Sequence, residues 1–266
     1  MKTIYLILSS ICVLFLTSCA SDFISMQGTV NQIRAAHWLG SMKAKDYFDS
    51  QVQIDLADAI TKGNTNRMQQ LIDGGADVNY LGQDDMRPLF WALAKQNISG
   101  FKFLLDHGAD PNIVTKHPPL LNPLEIAVCM DDSRYLEELL THGANPNAFI
   151  GNEPQTTETP IFSGVLYNKT NNIALLLKYG ADIECKLPND TTPLHAAIYD
   201  GNYRVALFLY HAGANPLIKN KLGYSPVETM KQFGDNGVLL RADEKAYKQL
   251  LEEFGEHGLL DKSDIK

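Results

Sequence analysis

The chain has 266 residues, 45% hydrophobic and 20% charged, with a formal charge of −8, four cysteines and a mean hydropathy of −0.16. The apolar fraction supports a packed core and excludes a mainly disordered chain, and the mean hydropathy excludes a polytopic membrane protein. The acidic balance argues against nucleic acid as a partner, because phosphate binding needs clustered Lys and Arg; four cysteines in this length do not make a disulfide scaffold.

Residues 1–19 read MKTIYLILSSICVLFLTSC. Lys2 precedes an apolar stretch from Ile4 to Leu16, broken only by Ser9 and Ser10. The stretch is too short for a membrane span, which needs about 20 apolar residues, and fits a secretory signal peptide. Its end, Leu16-Thr17-Ser18-Cys19, resembles the lipobox of bacterial lipoproteins, in which the peptide is cut before a Cys that receives the lipid. The resemblance implies lipidation at Cys19 and stable membrane anchoring, since more than one acyl chain holds a protein to a bilayer. Ala20 stands where an Asp favours inner-membrane retention in enterobacterial lipoproteins, so the implied location is the outer membrane facing the periplasm. Loss of residues 1–18 leaves 22 basic residues against 31 acids, a charge of −9. Residues 20–28 read as a tether, and 30–45 (VNQIRAAHWLGSMKAK) as one possible amphipathic helix before the main domain. The expected divisions are a signal peptide over 1–18, a lipidated Cys with tether and leading helix over 19–50, a repeat domain over 51–254 and a tail over 255–266.

The repeat domain declares itself by two elements that keep phase. GGADVN at 74–79 recurs as HGADPN at 107–112, HGANPN at 142–147, YGADIE at 179–184 and AGANPL at 212–217. RPLFWA at 87–92 recurs as NPLEIA at 122–127, TPIFSG at 159–164, TPLHAA at 192–197 and SPVETM at 225–230. A Pro at the start of a helix costs no hydrogen bond and has its φ pre-set. Thr159, Thr192, Asn122 and Ser225 precede it as N-caps, whereas Arg87 is a poor cap. Gly75, Gly108, Gly143, Gly180 and Gly213 follow Leu-rich second helices and predict positive φ at their ends. Units fall near 55–79, 86–112, 122–147, 159–184, 192–217 and 225–254, with atypical first and last members, as caps require.

These residues resemble the ankyrin repeat family, whose signature is T-P-L-H-x-A, a Leu-rich helix and G-A-D/N; 192–197 is the fullest match. The resemblance implies an all-α solenoid of about six helix-turn-helix units with β-turn fingers. It also implies that a protein partner binds the fingers and the inner face of the first helices. By register, that face holds Thr61/Lys62, Ala94/Lys95, Cys129/Met130, Leu166/Tyr167, Tyr199/Asp200 and Gln232/Phe233. Tyr167, Tyr199 and Phe233 form a row of aromatics, a favoured hot-spot chemistry, and Lys95 and Met130 are the N-terminal contributors. Two fingers are enlarged, over 113–122 and 148–159, which places Leu120, Leu121, Phe149 and Ile150 in loops; such insertions gather on one face, often the binding face.

The chain contains no GxSxG, HExxH, P-loop or paired CxxC, so no enzyme, cofactor or metal is expected. His107, His142 and His211 sit at helix ends, where a protonated imidazole suits the dipole; His195 is the motif His, which in the family bonds between neighbouring loops. Asp131-Asp132 reads as a solvated turn. Cys129 and Cys185 lie too far apart in the repeat register for the roughly 7 Å reach of a disulfide, and two thiols are expected, with Cys129 partly buried. The expected protein is a monomer that binds one protein and no nucleic acid. Its layout is similar to type VI secretion immunity lipoproteins that neutralise effectors such as phospholipases; the alternative is a periplasmic scaffold supporting a stress protein such as catalase.

Overall fold

A computed structural model describes residues 42–116, 122–149, 159–235 and 244–260, with the side chains of 233–235 excepted. The described residues form twelve α-helices, paired as expected: α1 (Gln51–Lys62), α2 (Thr65–Asp73), α3 (Pro88–Ala94), α4 (Ile98–Asp106), α5 (Pro123–Cys129), α6 (Ser133–Thr141), α7 (Pro160–Leu166), α8 (Thr170–Lys178), α9 (Pro193–Tyr199), α10 (Tyr203–His211), α11 (Pro226–Asp235) and α12 (Glu244–Glu256). The chain divides into two compact units, 1–145 and 146–266, each holding three pairs. The segments expected to be a signal peptide and a tether, and Cys19, lie outside the described residues.

In the first unit the inner helices α1, α3 and α5 pack in sequence, and the outer helices α2, α4 and α6 do the same. Leu56, Ala92, Phe101, Leu104, Ala127, Leu136 and Leu139 are fully buried between them. Small residues at 92 and 127 let the inner helices approach, and paired leucines of the outer helices fill the layer behind. In the second unit α7, α9 and α11 form the inner row and α8, α10 and α12 the outer. The last pair departs from the pattern in the way an end must. α12 buries Tyr247, Leu250 and Phe254 against α10, with Tyr203–Tyr247 and Tyr210–Phe254 ring contacts at 4.9 Å, and turns its charged residues outward. Of the tail expected over 255–266, residues 255–256 belong to α12 and Leu260 is buried, and 261–266 lie outside the described residues.

The N-caps follow chemistry rather than identity alone. Thr192 accepts from the His195 amide and His195 Nδ1 accepts from the Thr192 amide, a reciprocal capping box. Ser225 and Glu228 make a second, and Asn122 accepts from the Glu125 amide at 2.7 Å. Thr159 does not cap α7: its hydroxyl instead meets the Cys185 thiol at 3.2 Å in the following finger. The five glycines after the outer helices all carry positive φ, from 86° to 100°, where a Cβ would be strained.

A ladder of side chains ties each finger to the next. Asn79 donates to the Gly108 carbonyl and accepts from the Asp110 amide. Asn112 does the same with Gly143 and Asn145, and in the second unit so does Asn147 with Gly180 and Asp182. Position 184 breaks the series. Glu184 accepts from the Asn215 amide, but a carboxylate has no N–H for the Gly213 carbonyl, and its Oε2 is buried with no hydrogen-bond partner. Burial pushes its pKa up, reinforced by Asp182 and opposed by the Asn215 amide.

Glu184→Asn is therefore expected to stabilise the second unit by about 1 kcal/mol through the restored bond, read as a higher urea midpoint. A carboxyl raised in the folded state destabilises only as pH climbs through its unfolded and then its folded pKa. The gain is thus expected to be largest at neutral pH and smaller near pH 4. A midpoint unchanged at pH 7 would show that the unsatisfied carboxylate carries no cost.

Candidate protein-binding surface

The C-terminal ends of the inner helices supply the register positions expected to meet a partner, and the two units treat them differently. In the first unit Thr61 and Lys62 at the end of α1 are exposed, but the positions after α3 and α5 are largely closed. Ala94 and Cys129 are 4% exposed, so Cys129 is fully rather than partly buried. Met130, expected to touch a partner, is 3% exposed. The reason is local. After α3, α7 and α9 the C-cap residue keeps ψ near zero, whereas Met130 turns to extended backbone with ψ 152°, and its side chain goes inward. Lys95 is half-buried; its ammonium donates to the Met42 carbonyl at 3.0 Å and lies 4.7 Å over the Trp91 ring. Burial pushes its pKa down, with Asp58 opposing.

The second unit leaves the same positions open. Tyr199 is 65% exposed and Leu166 51%. Tyr167, favoured by aromatic character, is half-buried; its neighbour Leu166, one residue earlier at the end of α7, is the side chain facing water. The side chain of Phe233 lies outside the described residues, as do Leu120, Leu121 and Ile150. Phe149, at the start of the larger finger, is 65% exposed.

Sequence reasoning missed the finger over 215–225. Leu217 and Leu222 are 55% and 76% exposed there. The turn is Asn220-Lys221-Leu222-Gly223, closed by the Gly223 amide donating to the Asn220 carbonyl. Asn-x-x-Gly marks the turn in the sequence, and a leucine at its tip was the available signal. This finger is held by His195, whose Nε2 is 3.0 Å from the Tyr224 carbonyl; burial pushes the imidazole pKa down, which suits a structural role. Chemistry that would suggest a reaction centre is spent on structure elsewhere too. His107 Nδ1 is 2.7 Å from the Phe103 carbonyl and His142 Nδ1 is 2.7 Å from the Glu138 carbonyl, at the ends of their helices. His211 departs from that use and lies 2.6 Å from Glu253 of α12. Asp132 caps α6 and holds Arg134 at 2.7 Å. Burial raises the Cys185 thiol to about 11, far from a thiolate nucleophile. Among the described residues, no group of three or more His, Cys, Asp or Glu could hold a metal ion, and no helix is long and apolar enough to cross a membrane.

Family models for the ankyrin repeat match residues 84–116 and, as three copies, 124–220. These are ankyrin repeats. The chain is 26% identical over 202 residues to the mitochondrial disaggregase of Homo sapiens, covering 73% of this chain and 26% of that protein. It is 33% identical over 141 residues to a putative ankyrin repeat protein of Rickettsia bellii, covering 44% of this chain and 53% of that one. It is 32% identical over 153 residues to Protein PhlB of Serratia liquefaciens, covering 56% and 63%. The chain spans about a quarter of the length of the disaggregases it matches. Ankyrin repeats indicate a protein–protein interaction module. The ladder hydrogen bonds at Asn79, Asn112 and Asn147 tie successive turns together, and a pre-organised surface loses little conformational entropy on binding.

Proposed function

We propose that this chain is a lipid-anchored, periplasm-facing ankyrin module that binds and neutralises one secreted toxic effector, such as a phospholipase. The observation that carries the binding role is the exposure of Tyr199 and Leu166 at the ends of successive inner helices. Large apolar side chains held in water by a rigid frame mark a surface that a partner buries. The lipobox-like Leu16-Thr17-Ser18-Cys19 supports the anchor, and a tethered inhibitor stands where an enzyme attacking the membrane would act.

The test combines crosslinking and competition. A photo-crosslinker at Tyr199 in living cells is expected to trap one secreted enzyme, identified by mass spectrometry. Deleting the gene is expected to sensitise cells to a sibling that delivers it. A knockout that competes normally, or a crosslink to a catalase with no toxin, overturns the immunity reading. Labelling with a radioactive fatty acid is expected to mark the protein, and Cys19→Ala to abolish the label; no label on the unaltered protein, or an undiminished label in the variant, refutes the lipid anchor at Cys19.

A further inference from the structure

The first unit buries the register positions Ala94, Cys129 and Met130, yet it holds a cleft of about 370 Å³ of a different character. Residues 42–45 form one wall, α1 another, and Trp91 and Lys95 at the end of α3 a third. Met42, Ile54 and Trp91 make the interior partly apolar. Three lysines line it, Lys43, Lys45 and Lys95, against the one acid Asp58. In a chain of net charge −8, this is a local excess of positive charge. Lys43 and Lys45 are exposed at the mouth. Lys95 is fixed deeper, held by the Met42 carbonyl and the face of Trp91. A half-buried ammonium keeps its charge in a less screened setting than water, so an anion entering beside it is attracted strongly at close range.

We propose that this cleft binds a carboxylate carried on a short apolar stem, offered by the protein partner as a side chain or a chain terminus. Lys95 meets the carboxylate, Lys43 and Lys45 draw it in, and Met42 and Ile54 cover the stem. The choice of a protein carboxylate rests on the reading of the chain as a protein-binding module. The site is built by residues before the first repeat as well as within the repeats, so removing 42–45 would remove a wall.

The cleft carries its own reporter. The chain has two tryptophans, Trp38 and Trp91, so Trp38→Phe leaves Trp91 alone, with the Lys95 ammonium over its ring. An anion that draws on that ammonium changes the emission of Trp91. In the whole chain carrying Trp38→Phe, N-acetyl-leucine is expected to give a saturable change that weakens with salt, and N-acetyl-leucinamide none. Lys95→Met, which keeps the stem on Trp91, is expected to weaken the response about tenfold or more. Lys43→Gln with Lys45→Gln, both at exposed positions, is expected to weaken it several-fold without disturbing the fold, checked by circular dichroism. An equal response to the amide, or an undiminished response in both variants, overturns the proposal. So does a response to decanoate with none to N-acetyl-leucine, which would assign the cleft to lipid. Failure here with crosslinking at Tyr199 intact would refute the cleft and leave the protein-binding role standing.

Discussion

Trp91→Ala is expected to destabilise the first unit by about 3–5 kcal/mol, the usual cost of removing a large buried aromatic. Trp91 is 1% exposed. Its Nε1 donates to the Ala57 carbonyl at 2.9 Å and to the Thr61 hydroxyl at 3.0 Å, both on α1. The rings of Tyr47 and Phe48 stand 5.9 Å away. The substitution leaves a cavity and removes an indole donor, while the segment before α1 loses its anchor. That segment is otherwise tied by the Gln83 amide donating to the Tyr47 carbonyl at 2.6 Å and by Tyr80 to Asp49. Gly82 permits the approach, since a Cβ there would lie 2.4 Å from the Tyr47 carbonyl. Urea unfolding followed by circular dichroism measures the loss, and hydrogen exchange at Gln83 reports detachment of residues 42–48. Trp91→Phe keeps most of the volume and loses the two hydrogen bonds, so its cost is expected to be about 1–3 kcal/mol. A loss under about 1 kcal/mol for Trp91→Ala would refute the anchoring role.

Leu166→Ala combined with Tyr199→Ala is expected to leave stability within about 0.5 kcal/mol, as exposed positions do. Partner affinity is expected to fall by about 2 kcal/mol or more, roughly thirtyfold. Tyr167→Ala is the contrast. Half-buried, it is expected to cost more stability and less binding. The measurement is surface plasmon resonance against the protein trapped at Tyr199, with thermal unfolding as the control. Undiminished binding by the double variant would move the surface away from the inner-helix ends, toward the fingers at Phe149 and Leu222.

Most of the architecture was legible because each repeat is written in local chemistry. Pro at the first helical turn, a polar cap before it, paired leucines and a Gly of positive φ are decided within a few residues of one another, and the recurrence of two such elements fixed the pairing of helices. His195 was also readable, since its fixed place in TPLHAA carries its loop contact. The binding surface was less legible. Register assigned the same role to Met130 and Tyr199, but a change of ψ at one C-cap buried the first, and neighbouring residues do not encode that change. Tyr167 was favoured over Leu166 by residue type, whereas one step around a helix end decided which of them met water.

By itself, the sequence determined the repeat, the starts of the inner helices at Pro, the ends of the outer helices at Gly and the resemblance that led to a protein-binding module, because these depend on residues close together in the chain. The tertiary structure alone decided three things. It joined Met42 to Lys95 in one cleft and Tyr47 to Trp91 in one core, and it left Glu184 with a carboxylate oxygen that no neighbour satisfies. Each depends on groups roughly thirty or more positions apart, brought together by the stacking of whole repeats. Desolvation, which sets the cost of Glu184 and the character of Lys95, exists only once that stacking has excluded water.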